Sequence, residues 1–184
     1  MKNRTIYMLP GRGGLLDKGL GAELQRRGYK VVGRELRGDF QRLPFADQLG
    51  HVADDLRKGF WHEDARVIAN SFGAYLFLHA QTLLPPFAGR ALLLSPIVGE
   101  ASNEEQMMFF VPPRAGRIQD MVDSGMYPTP TCCEIHVGEH DWQSVPENVM
   151  WLAERLQFKF SIVPGAGHQL PQEYVSSVLD GWLI

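Results

Sequence analysis

Residues 66–76 read RVIANSFGAYL, in which Ser71 stands two positions from a small residue on either side, Ala69 and Gly73. An apolar, β-branched run precedes the serine and an apolar helical pattern follows at once, which puts it on a sharp strand-to-helix turn. Small neighbours suit such a turn, because the serine takes strained backbone angles and bulk nearby would strike the returning helix. A serine hydroxyl is a weak nucleophile at neutral pH, so it needs an adjacent base that is itself oriented by an acid. Two later loops carry both. GEHDWQSVP follows the apolar run ending at Val137 and holds Asp141, and PGAGHQLP follows the run ending at Val163 and holds His168. The acid has competitors, since Glu139 and His140 share its loop and Glu100 follows the preceding strand. The chemistry of such a set is attack of Ser71 on an acyl carbon, with His168 as base and Asp141 as the acid that orients it.

Attack on a carbonyl also needs donors for the oxyanion that forms. The backbone N–H of Phe72 supplies one at the turn. The second falls in LPGRGG, residues 9–14, after the first apolar run: the Arg12 N–H is the choice, and Gly11 lets the backbone come close to a ligand. The Arg12 guanidinium reads first as a solvated cation and second as a partner for an acidic substrate group. The knot Met107, Met108, Phe109, Phe110 reads as core or cap packing, and as a flexible apolar wall for an acyl chain in which Met108 takes part. Trp142, beside the acid, either lines the same pocket or packs.

The elements that must position these groups follow from periodicity. Six strands are predicted, at Thr5–Leu9, Lys30–Gly33, Arg66–Ala69, Ala91–Leu94, Cys132–Val137 and Phe158–Val163, each bounded by Gly, Pro or charge. Between them lie amphipathic stripes: Leu16, Leu20 and Leu24 ended by Gly28, and Phe45, Leu49, Val52, Leu56 and Phe60 opened by Pro44. Val145, Val149, Leu152 and Leu156 follow a Ser144 to Glu147 capping box, and Tyr174, Val175, Val178 and Trp182 follow Pro171. Phe72 to Leu84 is apolar nearly all round, as in a helix buried beneath other elements. Such alternation implies a parallel sheet with helices on both faces and ligands at the carboxyl ends of its strands. Residues 98–130 break the rhythm and read as an insertion over that end, a short cap on a single domain of residues 1–184.

The chain has 184 residues, 45% hydrophobic and 21% charged, with a formal charge of -3, so a polyanion such as nucleic acid is a poor partner. The basic start, MKNRTIYMLP, turns to Gly and Arg too soon for a signal-peptide core, and no apolar run is long enough to span a bilayer; a cytoplasmic protein is expected. Cys132 and Cys133 are neighbours, unsuited to an ordinary disulfide or to metal-ligand spacing, and read as strand packing. His136 and His140 do not make a zinc site, because the strand carrying His136 ends before His140. No cofactor is expected.

Four segments in chain order resemble the lidless or short-capped α/β hydrolases: LPGRGG for an HG-x-G-like oxyanion loop, ELRGDF for a D-x-R-G-x-G turn, ANSFG for the nucleophile elbow, and GEHDWQSVP with PGAGHQLP for acid and base. The resemblance implies the α/β-hydrolase fold, with a six-stranded mainly parallel sheet, and triad roles for Ser71, Asp141 and His168. It implies a serine esterase or thioesterase acting on a small-molecule or carrier-bound acyl substrate. Pro10 stands where members often carry His, Ala69 replaces Gly, and two antiparallel strands of larger relatives are absent. Two rivals remain. A nucleotide-binding domain would use Gly11 to Gly14 before a helix and Glu35 after the second strand, but Leu16 stands where its third glycine belongs. A binding or scaffold protein would keep the fold without catalysis.

Overall fold

The computed structural model describes residues 4–184. Met1–Asn3, at the head of the basic N-terminal stretch, lie outside the described residues. The chain runs β1 (Thr5–Leu9), α1 (Leu20–Arg26), β2 (Lys30–Gly33), α2 (Gly38–Arg42), α3 (Phe45–Gly59), β3 (Arg66–Asn70) and α4 (Phe72–Gln81). It continues through β4 (Arg90–Leu94), β5 (Ala101–Asn103), β6 (Met108–Phe110), α5 (Arg117–Asp123), β7 (Cys132–Gly138), α6 (Pro146–Leu156), β8 (Lys159–Val163) and α7 (Gln172–Trp182). Six strands form one sheet in the order β2-β1-β3-β4-β7-β8, with every neighbouring pair parallel. All six expected strands are present to within a residue or so at their ends.

Side chains alternate across the sheet with the two-residue period of a pleated strand. Tyr7, Leu9, Val67, Ala69, Ala91 and Leu93 join the core under α3, α4 and α6. Ile6, Met8, Ile68, Leu92 and Leu94 join a second core under α1 and α7. Helices therefore cover both faces, and the central strands are apolar throughout because both of their faces are buried. Every residue of α4 is buried, as its all-round apolar pattern requires. Each large apolar side chain there contributes about 1.5–3 kcal/mol.

Several local expectations change. Leu16 lies outside α1, its backbone N–H donating to Glu35 Oε1 at 2.9 Å. The helix therefore starts six residues after Gly14 rather than on the glycine-rich loop. The Ser144 to Glu147 capping box does not form: Val145 is the N-cap, and the Ser144 hydroxyl donates instead to the Pro96 carbonyl. Tertiary bonding to a neighbouring loop outcompetes the local cap. The last three residues of the knot, Met108–Phe110, are the second strand of an antiparallel β5–β6 hairpin, with Ser102 opposite Phe109, and Met107 ends the turn before it. Cys133 packs inward as expected, whereas Cys132 is exposed, since successive strand residues face opposite ways.

One buried ionisable group on α4 couples the core to pH. His79 lies 4.2 Å from the Tyr75 ring and 5.3 Å from the Phe45 ring, centroid to centroid, and its Nε2 finds no hydrogen-bond partner among the described residues. Burial, with smaller contributions from Arg114 and Arg117, pushes its pKa down to about 4. The unfolded chain, with histidine near its ordinary 6.5, binds the extra proton first, so stability is lost as pH falls from about 6.5 toward 4, by roughly 3 kcal/mol in full. His136 adds a loss of the same sign, because burial lowers its pKa despite Glu134. The urea midpoint of His79→Leu is expected to fall less between pH 7 and 4.5 than that of the parent. Equal falls in the two proteins would show that His79 is not a source of the acid sensitivity.

Candidate active site

The sheet order places a topological switch point between β1 and β3, since the chain leaves β1 for β2 on one side and β3 on the other. In parallel sheets of this kind the crevice for ligands opens beyond the carboxyl ends at such a point. The loop after β1 carries Gly11 and Arg12, and the turn after β3 carries Ser71. Ser71 has φ 53 and ψ -121, a conformation that favours glycine and costs a serine on the order of 1–3 kcal/mol. The surroundings hold it there. Its N–H donates to the Leu94 carbonyl at 3.0 Å, and its own carbonyl accepts from Ala74 at 3.1 Å and Ile97 at 3.3 Å. Gly73 is fixed by space: a Cβ there would lie 2.1 Å from the Leu9 carbonyl oxygen. Ala69, in place of the usual glycine, is fully buried in the core on the α3 and α4 side.

Two further strand ends complete the set. The loops after β7 and β8 are laced together, with the His140 N–H on the Ala166 carbonyl at 2.8 Å and the Glu139 N–H on the Val163 carbonyl at 3.0 Å. Glu139 itself accepts from the Gly165 N–H at 2.7 Å. This lacing sets His168 beside Asp141. His168 Nδ1 lies 2.9 Å from both carboxylate oxygens of Asp141, and its Nε2 lies 2.7 Å from Ser71 Oγ. With Nδ1–H donating to a carboxylate, Nε2 is left as the acceptor for the serine hydroxyl. The Asp141 side chain is fully buried, and Oδ1 also accepts the Gln143 and Ser144 N–H groups at 2.9 Å each. Charge-assisted bonds of this kind fix the carboxylate in one orientation. The competitors do other things: Glu139 holds the β8 loop, His140 is exposed, and Glu100 lines a separate cleft beside Gln119 and Trp151.

The predicted oxyanion donors flank the serine. Gly11 to Gly14 form a turn closed by the Gly14 N–H on the Gly11 carbonyl at 3.0 Å. The backbone N–H groups of Arg12 and Phe72 donate to no protein acceptor among the described residues. Gly11, Arg12, Ser71, Phe72, Met108, Trp142 and His168 all line one open cavity of about 490 Å³. Every predicted site residue thus meets there except Asp141, which stands behind His168. Phe109 and Phe110 of the apolar knot line the cavity too, as do Ile97, Asn70, Gln143 and Gln169, which were not foreseen. Asn70, Gln143 and Gln169 could have been found from their adjacency to the motif residues. Ile97 carries no such signal.

A second cavity of about 260 Å³ lies on the other side of His168, toward α1 and α7, sharing Asn70 and Gln169 with the first. His136 has both ring nitrogens engaged, Nδ1 by Tyr174 at 2.7 Å and Nε2 by Glu134 at 2.9 Å, which leaves neither for a metal. Among the described residues no group of three His, Cys, Asp or Glu is placed to hold a metal ion. Glu35, the ribose ligand of a nucleotide-binding reading, is held by the Leu16 N–H and lies 3.7 Å from Arg37. No helix among the described residues is long and apolar enough to cross a membrane.

The sheet, its helices and the placement of these loops define the α/β-hydrolase fold. Solved structures share it at low identity. The ydeN gene product of B. subtilis superposes with a TM-score of 0.68 at 14% identity, over 98% of each chain. A carboxylesterase of the thaumarchaeon Nitrososphaera gargenis gives 0.65 at 12% identity, over 99% of this chain and 90% of its own. The monoacylglycerol lipase of Paleococcus ferrophilus gives 0.62 at 13%, over 97% and 93%. No family model matches the sequence, and no curated protein matches it.

Gly11 offers a test of how tightly the serine is enclosed. A Cβ at this position would sit 3.1 Å from Ser71 Cβ and 3.6 Å from its Oγ, and the hydrogen bonds around Ser71 leave it no room to retreat. Gly11→Val is expected to slow covalent modification of Ser71 by a small fluorophosphonate at least tenfold, while the melting temperature changes by only a few degrees. Labelling at the parental rate would mean that the loop after β1 does not close on the nucleophile.

Proposed function

We propose that the protein is a serine hydrolase that cleaves a carboxylic ester or thioester through an acyl-enzyme intermediate. The observation that carries this reading is the continuous line from Ser71 Oγ through His168 to buried Asp141, at 2.7 and 2.9 Å. In the first half-reaction His168 Nε2 takes the hydroxyl proton as Ser71 Oγ bonds to the acyl carbon. The carbonyl oxygen gains the negative charge and is met by the Arg12 and Phe72 N–H groups, free of other acceptors. Asp141 holds the imidazole in the tautomer that exposes Nε2 and stabilises the imidazolium. His168 then returns the proton to the departing alcohol or thiol. In the second half-reaction it takes a proton from water, whose oxygen attacks the acyl carbon, and gives it back to Ser71 as the acid product leaves.

Gly11, Met108 and Trp142 serve as the substrate-facing surface in this reading. Met108 is 45% exposed and Phe109 77% exposed on the rim, so the cavity opens to a flexible apolar edge that suits an acyl chain or the end of a carrier-bound acyl group. Carboxylesterase and lipase names among structures of the same fold accord with hydrolysis.

The deciding measurement is fluorophosphonate labelling with peptide mapping, followed by turnover of nitrophenyl esters and acyl thioesters of graded length. Label on Ser71 that is lost in Ser71→Ala is the expected outcome. Asp141→Asn, which keeps the shape but not the charge, is expected to lower kcat by about 10³–10⁴-fold in protein that remains folded by circular dichroism. Folded parental protein that takes no label and turns over no ester would leave the non-catalytic binding role instead.

A further inference from the structure

The Arg12 guanidinium occupies a position that solvation alone does not explain. It lies 4.5 Å from the centroid of the Phe72 ring and 5.6 Å from that of Phe110, and these two rings meet edge to face at 6.4 Å. The side chain is therefore laid against the wall of the cavity that contains Ser71, between the end of β3 and the β5–β6 hairpin. Stacking on aromatic rings uses the face of the guanidinium and leaves its edge N–H donors free. Among the described residues no carboxylate pairs with it, although Arg27, Arg34, Arg37 and Arg57 all have acidic partners. The nearest sequence candidate, Glu35, is already engaged by the Leu16 N–H and Arg37.

The electrostatics of the cavity point the same way. Among the described residues Arg12 alone lines it with a permanent charge; the other polar side chains there are the amides of Asn70, Gln143 and Gln169, with Ser71, Trp142 and His168. Asp141, behind His168, is fully buried and taken up by His168 and two backbone N–H groups. A preorganised planar fork of donors with no counter-ion, in a cleft with no exposed acid, is built to receive a carboxylate or phosphate, which pairs with it through two parallel hydrogen bonds.

Building on the hydrolase reading of Ser71, we propose that Arg12 is a specificity-determining residue, and that the preferred substrates are esters or thioesters bearing an oxyanionic group, a carboxylate or phosphate, that docks on its guanidinium. Its backbone N–H and its side chain then act on different parts of one substrate.

The test compares matched pairs of esters. In the acyl arm, mono-4-nitrophenyl glutarate is set against 4-nitrophenyl valerate. In the leaving-group arm, 4-butyryloxybenzoate and 4-butyryloxyphenyl phosphate are set against methyl 4-butyryloxybenzoate. The quantity read is the ratio of kcat/KM for the anionic ester to that for its neutral partner, in which any common loss through the oxyanion loop cancels. A ratio of at least ten is expected in one arm, which also locates the anion on the acyl or the departing side. In Arg12→Gln that ratio is expected to fall by about 10–100-fold, the scale of a lost charge-assisted pair, and Arg12→Lys is expected to restore part of it. A ratio that moves less than threefold in every arm, while neutral esters still turn over and Ser71 still takes label, overturns the role of Arg12 and leaves the hydrolase standing. Absence of both turnover and label removes the hydrolase reading and this one together.

Discussion

The backbone of Ser71 is held at φ 53 against its own preference, and much of the surrounding structure is what keeps it there. A strained serine persists only when its neighbours over-determine it. Here the restraint comes from three directions at once. The Leu94 carbonyl fixes its amide from β4, the Ala74 and Ile97 amides fix its carbonyl, and α4 is pressed so close to the end of β1 that Gly73 has no space for a methyl group. The full burial of α4 supplies the energy that sustains this contact. The result is a half-buried hydroxyl at the mouth of the sheet, held on a rigid turn beside His168.

The same sheet makes the other groups converge. A switch point between β1 and β3 opens a gap at the carboxyl ends of neighbouring strands, and the loop after β1 fills it with backbone N–H groups directed at no protein acceptor. On the far side of β4, the loops after β7 and β8 bond to each other. Their backbone lacing makes the His168–Asp141 geometry a property of two loops acting as one piece. Asp141 is affordable as a buried anion because His168 and two amides surround it, so its desolvation is matched by charge-assisted bonds rather than by solvent.

How much of this was readable beforehand depends on the range of the forces involved. Strand positions and the helix stripes were legible because burial imposes periods of two and about 3.6 on the sequence itself. The three chemical groups were legible because each sits within a few residues of a strand end, where a short motif can encode both the turn and the side chain. What escaped depends on contacts between distant segments. Ser144 and Glu147 have the spacing of a capping box, yet Ser144 is drawn away by the Pro96 carbonyl, 48 residues distant in sequence. Met107 to Phe110 has the composition of core, yet the pairing of Met108–Phe110 with residues 101–103 makes it a largely exposed hairpin strand that walls a cavity. The sequence left Asp141, Glu139, His140 and Glu100 open for the place of the acid, and of these it is Asp141 that lies buried beside His168.

That contrast between local and distant determinants also divides the site by function. Arg12, Ser71 and Asp141 follow the deeply buried strands β1, β3 and β7, where small displacements are resisted by packing, and His168 follows the edge strand β8, whose loop is bonded to that of β7. The apolar wall of the cavity, Met108, Phe109, Phe110 and Trp142, comes from the hairpin and from the loop that carries Asp141, where side chains are partly exposed. Arg12 joins the two parts. Its backbone belongs to the rigid turn beside Ser71, while its guanidinium reaches across Phe72 to Phe110 and rests against the hairpin. A guanidinium laid on both rings in this way links the turn beside Ser71 to the hairpin.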